Sequence, residues 1–60
     1  MKEKMLEAIQ NAVNEVKENQ ENGWDALLTV SIEKLNYYKA FYEEVTGHEV
    51  TVKNWVVTEI

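Results

Sequence analysis

Sixty residues with no cysteine and a single histidine, His48, must fold without covalent or metal staples. A chain this short buries only about 60% of the surface its unfolded form exposes, so apolar packing alone leaves it marginal. Small domains in this position add disulfides, a metal or self-association. The first two need ligands that are absent here, since one imidazole without thiolates does not make a structural zinc site. A partner or a second copy is the remaining route. Residues 1–60 are expected to form a single small acidic domain.

Three segments follow from the spacing. Leu6, Ile9, Val13 and Val16 recur at intervals of three and four, flanked by Met5, Ala8 and Ala12. This predicts an amphipathic helix over about residues 2–19. The run Asn19-Gln20-Glu21-Asn22-Gly23 is expected to stop it. The second segment has two readings. Trp24, Ala26, Leu28 and Val30 alternate as in a strand, with Ser31 as the cap of a later helix. Trp24, Leu28, Ser31, Leu35, Tyr38, Tyr42 and Val45 instead fit one helix, widened by Leu27, Tyr37 and Phe41. The longer periodic match favours helix over residues 24–46, capped by Asn22 and ended by Gly47. The third segment, His48 to Ile60, is rich in valine, threonine and tryptophan and reads as β. It is either one strand or a short hairpin turned at Lys53-Asn54. The fold class is therefore α+β: an antiparallel two-helix hairpin followed by a C-terminal β segment. That segment is expected to be completed by a homodimer through paired C-terminal strands, because a lone strand leaves backbone donors and acceptors unmatched.

Charge and composition exclude several functions. Eleven acidic residues face six basic ones, giving a formal net charge of -5. All the basic residues are lysines, and arginine, the usual fork for guanine edges and phosphates, is absent. Direct nucleic-acid binding, such as that of a small dimeric DNA-binding regulator, is thus disfavoured. No apolar run approaches 18 residues, so no membrane span is expected. The N-terminal run Met1-Lys2-Glu3-Lys4-Met5-Leu6 is too polar for a signal peptide, and with no cysteine this points to the cytoplasm. The excess of asparagine and lysine without arginine or proline is the bias of an AT-rich genome. It suggests a low-GC bacterium, its phage or its plasmid.

The candidate chemistry is thin. Glu43, Glu44, His48 and Glu49 are the densest titratable cluster, but Gly47 breaks the register between them. A solvated helix end explains them better than a metal or acid-base site. Ser31, the only serine, has no base pattern around it and reads as a hydroxyl bonded within its helix. No catalytic, cofactor-binding or metal-ligating residue is assigned, and the chain is not expected to be an enzyme. Two surfaces stand out instead. Glu3, Glu7, Glu18 and Glu21, with Gln10 and Asn14, form an acidic and amide face that could occupy a basic cleft or simply solvate the helix. Tyr37 and Phe41 sit on the shoulder of the second helix, while Tyr38 and Tyr42 point to the core. Trp24 and Trp55 are expected to anchor the core or a dimer interface.

The function this predicts is a small non-enzymatic acidic interaction protein. It would bind a protein partner and block it, for example a host nucleic-acid enzyme approached by charge mimicry. A purely structural oligomerisation module is the alternative.

Overall fold

A computed structural model describes residues Lys2–Ile60. Met1, where the polar N-terminal run begins, lies outside the described residues. Helix α1 spans Lys2–Asn22 and α2 spans Asp25–Thr46; strands β1 (Val50–Lys53) and β2 (Val56–Glu59) follow. The α+β class and the helical hairpin are as the sequence predicts.

The first helix runs three residues past the expected stop. Gly23 lies just beyond its last residue with φ 69°. The Gly23 N–H donates to Gln20 C=O at 3.2 Å, and the Trp24 N–H to Asn19 C=O at 3.0 Å. These two bonds satisfy the last carbonyls of α1, and only a residue tolerant of positive φ completes them without strain. Asn22 therefore belongs to α1 and does not cap α2, as the sequence reading had it. The residue that precedes α2 is Trp24, and its side chain makes no capping bond. The end of α2 is as expected: Gly47 takes φ 74° and its N–H reaches Glu43 C=O at 2.8 Å.

The β segment closes on itself. Strands β1 and β2 pair antiparallel with Val52 opposite Val57 and Lys53 opposite Val56. The turn is Asn54-Trp55, one residue later than Lys53-Asn54, with φ of 53° and 65°. Both central residues at positive φ make this the mirror-image turn that matches strand twist. Asparagine tolerates that conformation, but tryptophan is an unusual occupant. This is why the spacing alone did not locate the turn.

The hairpin lies across one side of the helix pair. Ile9, Tyr42 and Val50 form the buried centre, one residue from each of α1, α2 and β1, with Leu6, Leu35 and Val57 packed against it. Ala12, Val13 and Val16 extend the buried stripe along α1. On α1, Leu6 and Gln10 flank that stripe on the hairpin side, and Met5 and Ala8 flank it on the other. The two tryptophans, expected to anchor the core or a dimer interface, are not in the core: Trp24 is 49% exposed and Trp55 37%. Val45 is exposed too, although it continues the α2 periodicity.

Candidate functional site

A closely knit polar cluster joins residues near the two chain ends to α2. Tyr42 has no exposed surface, and its hydroxyl donates to Glu59 Oε1 at 3.0 Å. Lys2 Nζ meets the other oxygen of Glu59 at 2.9 Å. His48 Nδ1 stands 3.9 Å from Glu59 Oε1. The Lys2 hydrogen bond, and after it the Tyr42 hydroxyl, holds the Glu59 carboxyl below its ordinary value despite partial desolvation. Burial, and then Glu59, pushes the Tyr42 phenol up. The Glu59 hydrogen bond raises Lys2.

This cluster has the form of a clasp. It ties the start of α1, the last turns of α2 and the end of β2 with partners that are already matched. Its pH signature follows from the shifts. Glu59 is depressed in the folded state, so its contribution is complete above the unfolded carboxylate value and is lost as pH falls through the folded one. Lys2 is raised, so its contribution is complete below the unfolded lysine value and fades as pH rises through the folded one. We expect the urea midpoint to fall more steeply on acidification from pH 5 to pH 3 in the native chain than in Glu59→Gln. Parallel curves for the two proteins would remove Glu59 from this role.

The cluster read from the sequence is not assembled. His48 finds Glu59, and the sequence reading did not select Glu59 because their contact is long-range. Among the described residues, no group of three His, Asp or Glu side chains is placed to hold a metal ion. Ser31 is buried; its hydroxyl donates to Leu28 C=O at 2.9 Å and accepts from Asn19 Nδ2 at 3.2 Å. It is a helix-to-helix contact, with no base beside it.

The surfaces are better defined. Glu3, Glu7, Glu18 and Glu21 are all exposed on α1. Helical spacing puts them, with Asn14, on one face about 27 Å long. Among the described residues, Glu21 has a cation near it, Lys17 at 4.0 Å, whereas Glu3, Glu7 and Glu18 make no ion pair. Gln10 lies at the hairpin edge of this face, donating to Asn14 Oδ1 at 3.1 Å. Its side-chain amide reaches over the hairpin, donating to Trp55 C=O at 2.9 Å and accepting from the Val57 N–H at 2.9 Å.

Comparison with protein-family models, with curated proteins and with solved structures finds no match for this chain. The surfaces themselves must carry the reading.

A second, apolar surface lies on the side of the helix pair away from the hairpin. Leu27, Val30, Tyr37, Phe41 and Val45 of α2 are each at least half exposed, and Tyr37 is 69% exposed. Behind Phe41 a shallow groove of about 240 Å³ is lined by Lys4, Met5, Ala8, Ile9 and Tyr38. Lys34 crosses this side to Glu15 at 3.4 Å, with its ammonium 5.7 Å from the centre of the Tyr38 ring. Phe41 is thus brought together with residues of α1 that the sequence had not linked to it, and Tyr37 stands beside it, against Tyr38. Trp55 is not among them; it sits at the hairpin turn on the opposite side. Among the described residues, no helix is long and apolar enough to cross a membrane.

Proposed function

We propose that this protein is a non-enzymatic interaction module that works by presenting a helix surface to another protein chain. The observation that supports this most strongly is the open side of the helix pair. Five large apolar side chains of α2 stand exposed beside an apolar groove, whereas among the described residues the buried apolar core is only six. Contiguous apolar surface of this kind marks a protein contact in soluble domains. Aromatic side chains at its centre are the type that interfaces favour.

The acidic face of α1 supports a second reading, in which the module occupies a basic surface of its target and blocks it. Three of its glutamates lack a cation within the described chain. The face points away from the apolar surface, so one molecule can use both. A cleft that normally receives a nucleic-acid backbone is one target of suitable charge.

Photo-cross-linking in living cells separates these surfaces. A benzoylphenylalanine probe replacing Tyr37 is expected to yield a discrete protein adduct, and the same probe at Asn36, exposed on another side of α2, none. No adduct from Tyr37 would refute the apolar contact surface. A probe at Asn14 reports on the acidic face. Its adduct should vanish when Glu7→Lys and Glu18→Lys are introduced, and an adduct that survives both reversals counts against the charge reading.

A further inference from the structure

We infer that the occupant of the open helix face is a second copy of this chain, docked α2 on α2, antiparallel, about a two-fold axis. This rests on the reading of that face as a contact surface and names the partner.

The first ground is the pattern of the face. Leu27, Val30, Lys34, Tyr37 and Phe41 are spaced three, four, three, four, and Val45 follows one turn later. This is the seam of a left-handed helix pair. It is also nearly palindromic. An axis crossing α2 midway between Lys34 and Tyr37 places Val30 against Phe41 of the other copy, while Leu27 falls opposite Glu44, beside Val45. The large Phe41 thus meets the smaller Val30. Lys34 then faces the Tyr37 ring of the second copy, an arrangement that favours the ammonium over the aromatic face. A two-fold interface requires such self-complementarity, because one patch must serve both sides.

Charge gives the second ground. The α2 positions of the seam from Leu27 to Phe41 hold one cation, Lys34, already paired with Glu15 of α1 at 3.4 Å, and no carboxylate of their own. In this register Glu33 lies across from Tyr38 and Glu44 across from Leu27, so no glutamate of one α2 meets a glutamate of the other. The acidic face of α1 is turned away from the seam. Two chains of formal charge -5 therefore approach without bringing their acidic faces together.

The third ground is area. With exposures of 54% for Leu27, 60% for Val30, 69% for Tyr37, 50% for Phe41 and 56% for Val45, the seam offers on the order of 500 Å² per chain. Twice that, ~1,000 Å², reaches the lower bound for a specific interface, and the groove of Met5 and Ala8 beside Phe41 adds to it. The core the isolated chain lacks is thereby supplied.

Pairing through the outer edge of β2, one form of the sequence-based expectation, is the less favoured geometry. Residue 57 lies opposite residue 52 between the hydrogen-bonded pairs that flank it, so its backbone points to the outer edge of β2. Gln10 already holds that edge through the Val57 N–H. A strand from another copy would have to displace it.

Sedimentation equilibrium on the full chain tests this. At about 100 µM the native protein is expected at twice the mass of one chain. Tyr37→Glu with Phe41→Glu should weaken the dimer by about 100-fold, as loss of two central anchors does. The helical circular dichroism should stay, since both side chains are exposed in the single chain. The register is read by mixing Lys34→Cys and Tyr37→Cys chains under mild oxidation. The mixed disulfide should exceed both symmetric ones. A single-chain mass at 100 µM overturns the inference, and so does a dimer that the double glutamate variant leaves intact, which is the outcome expected of strand pairing. A single-chain mass together with a Tyr37 adduct to a different protein overturns the self-pairing and leaves the contact surface standing. Absence of any adduct removes both.

Discussion

Ile9→Ala is expected to lower the melting temperature by roughly 15 °C, from a loss of about 2–3 kcal/mol in a chain this size. Ile9 is 1% exposed and meets Tyr42 of α2 and Val50 of β1. It is the point where three elements converge. Truncation removes its transfer energy and leaves a cavity whose walls belong to separate elements. Those walls cannot close on it without shifting the hairpin relative to the helices. A sixty-residue domain has only a few kcal/mol of total stability to lose. Ile32→Ala is the control, since Ile32 is 41% exposed on the same type of helix. It should cost under about 1 kcal/mol. Both variants need measuring at one protein concentration, because self-association would raise the apparent melting point of each. Equal losses for Ile9 and Ile32 would mean that the core is not centred where the packing places it.

The sequence made that core legible along α1 and less so along α2. On α1 the apolar residues form a narrow stripe with glutamates opposite, so spacing alone identifies Ile9, Val13 and Val16 as buried. On α2 the apolar residues cover a broad band. Tyr42 and Ser31 lie on one half of it and are buried, whereas Leu27, Tyr37 and Phe41 lie on the other and are not. Periodicity gives the direction of each residue around the axis, but not which directions are covered. That depends on where α1 and the hairpin pack. The two helix stops were legible because glycine at positive φ is a local requirement. The turn was not, because Trp55 at φ 65° runs against local preference. The Lys2–Glu59–Tyr42 clasp was invisible for another reason. Its members lie 17 residues or more apart, and no short-range spacing relates them.

Gln10 illustrates the same limit with a larger consequence, and Gln10→Leu is expected to cost about 2 kcal/mol, two net hydrogen bonds at roughly 1 kcal/mol each. Read along α1, it is one more amide beside the glutamates. In the fold, its side chain behaves as a peptide group added to the edge of β2, donating to Trp55 C=O and accepting from the Val57 N–H. It also steadies the tryptophan at the turn in its positive-φ conformation. Leucine keeps the approximate volume and removes both bonds, together with the exposed one to Asn14. The Val57 amide then loses its acceptor at a partly covered edge, and its hydrogen exchange should speed up by at least tenfold beyond the change at Thr51. Gln10→Glu should be no better at neutral pH, because a carboxylate can accept from Val57 but faces the Trp55 carbonyl as a second acceptor. The freed edge carries a further expectation. An unpaired strand edge recruits other strands, so Gln10→Leu should show new concentration-dependent association that Tyr37→Glu and Phe41→Glu do not suppress. Unchanged exchange at Val57 in Gln10→Leu would show that the edge is held by the pairing of β1 with β2 alone, and that the amide of Gln10 is incidental to it.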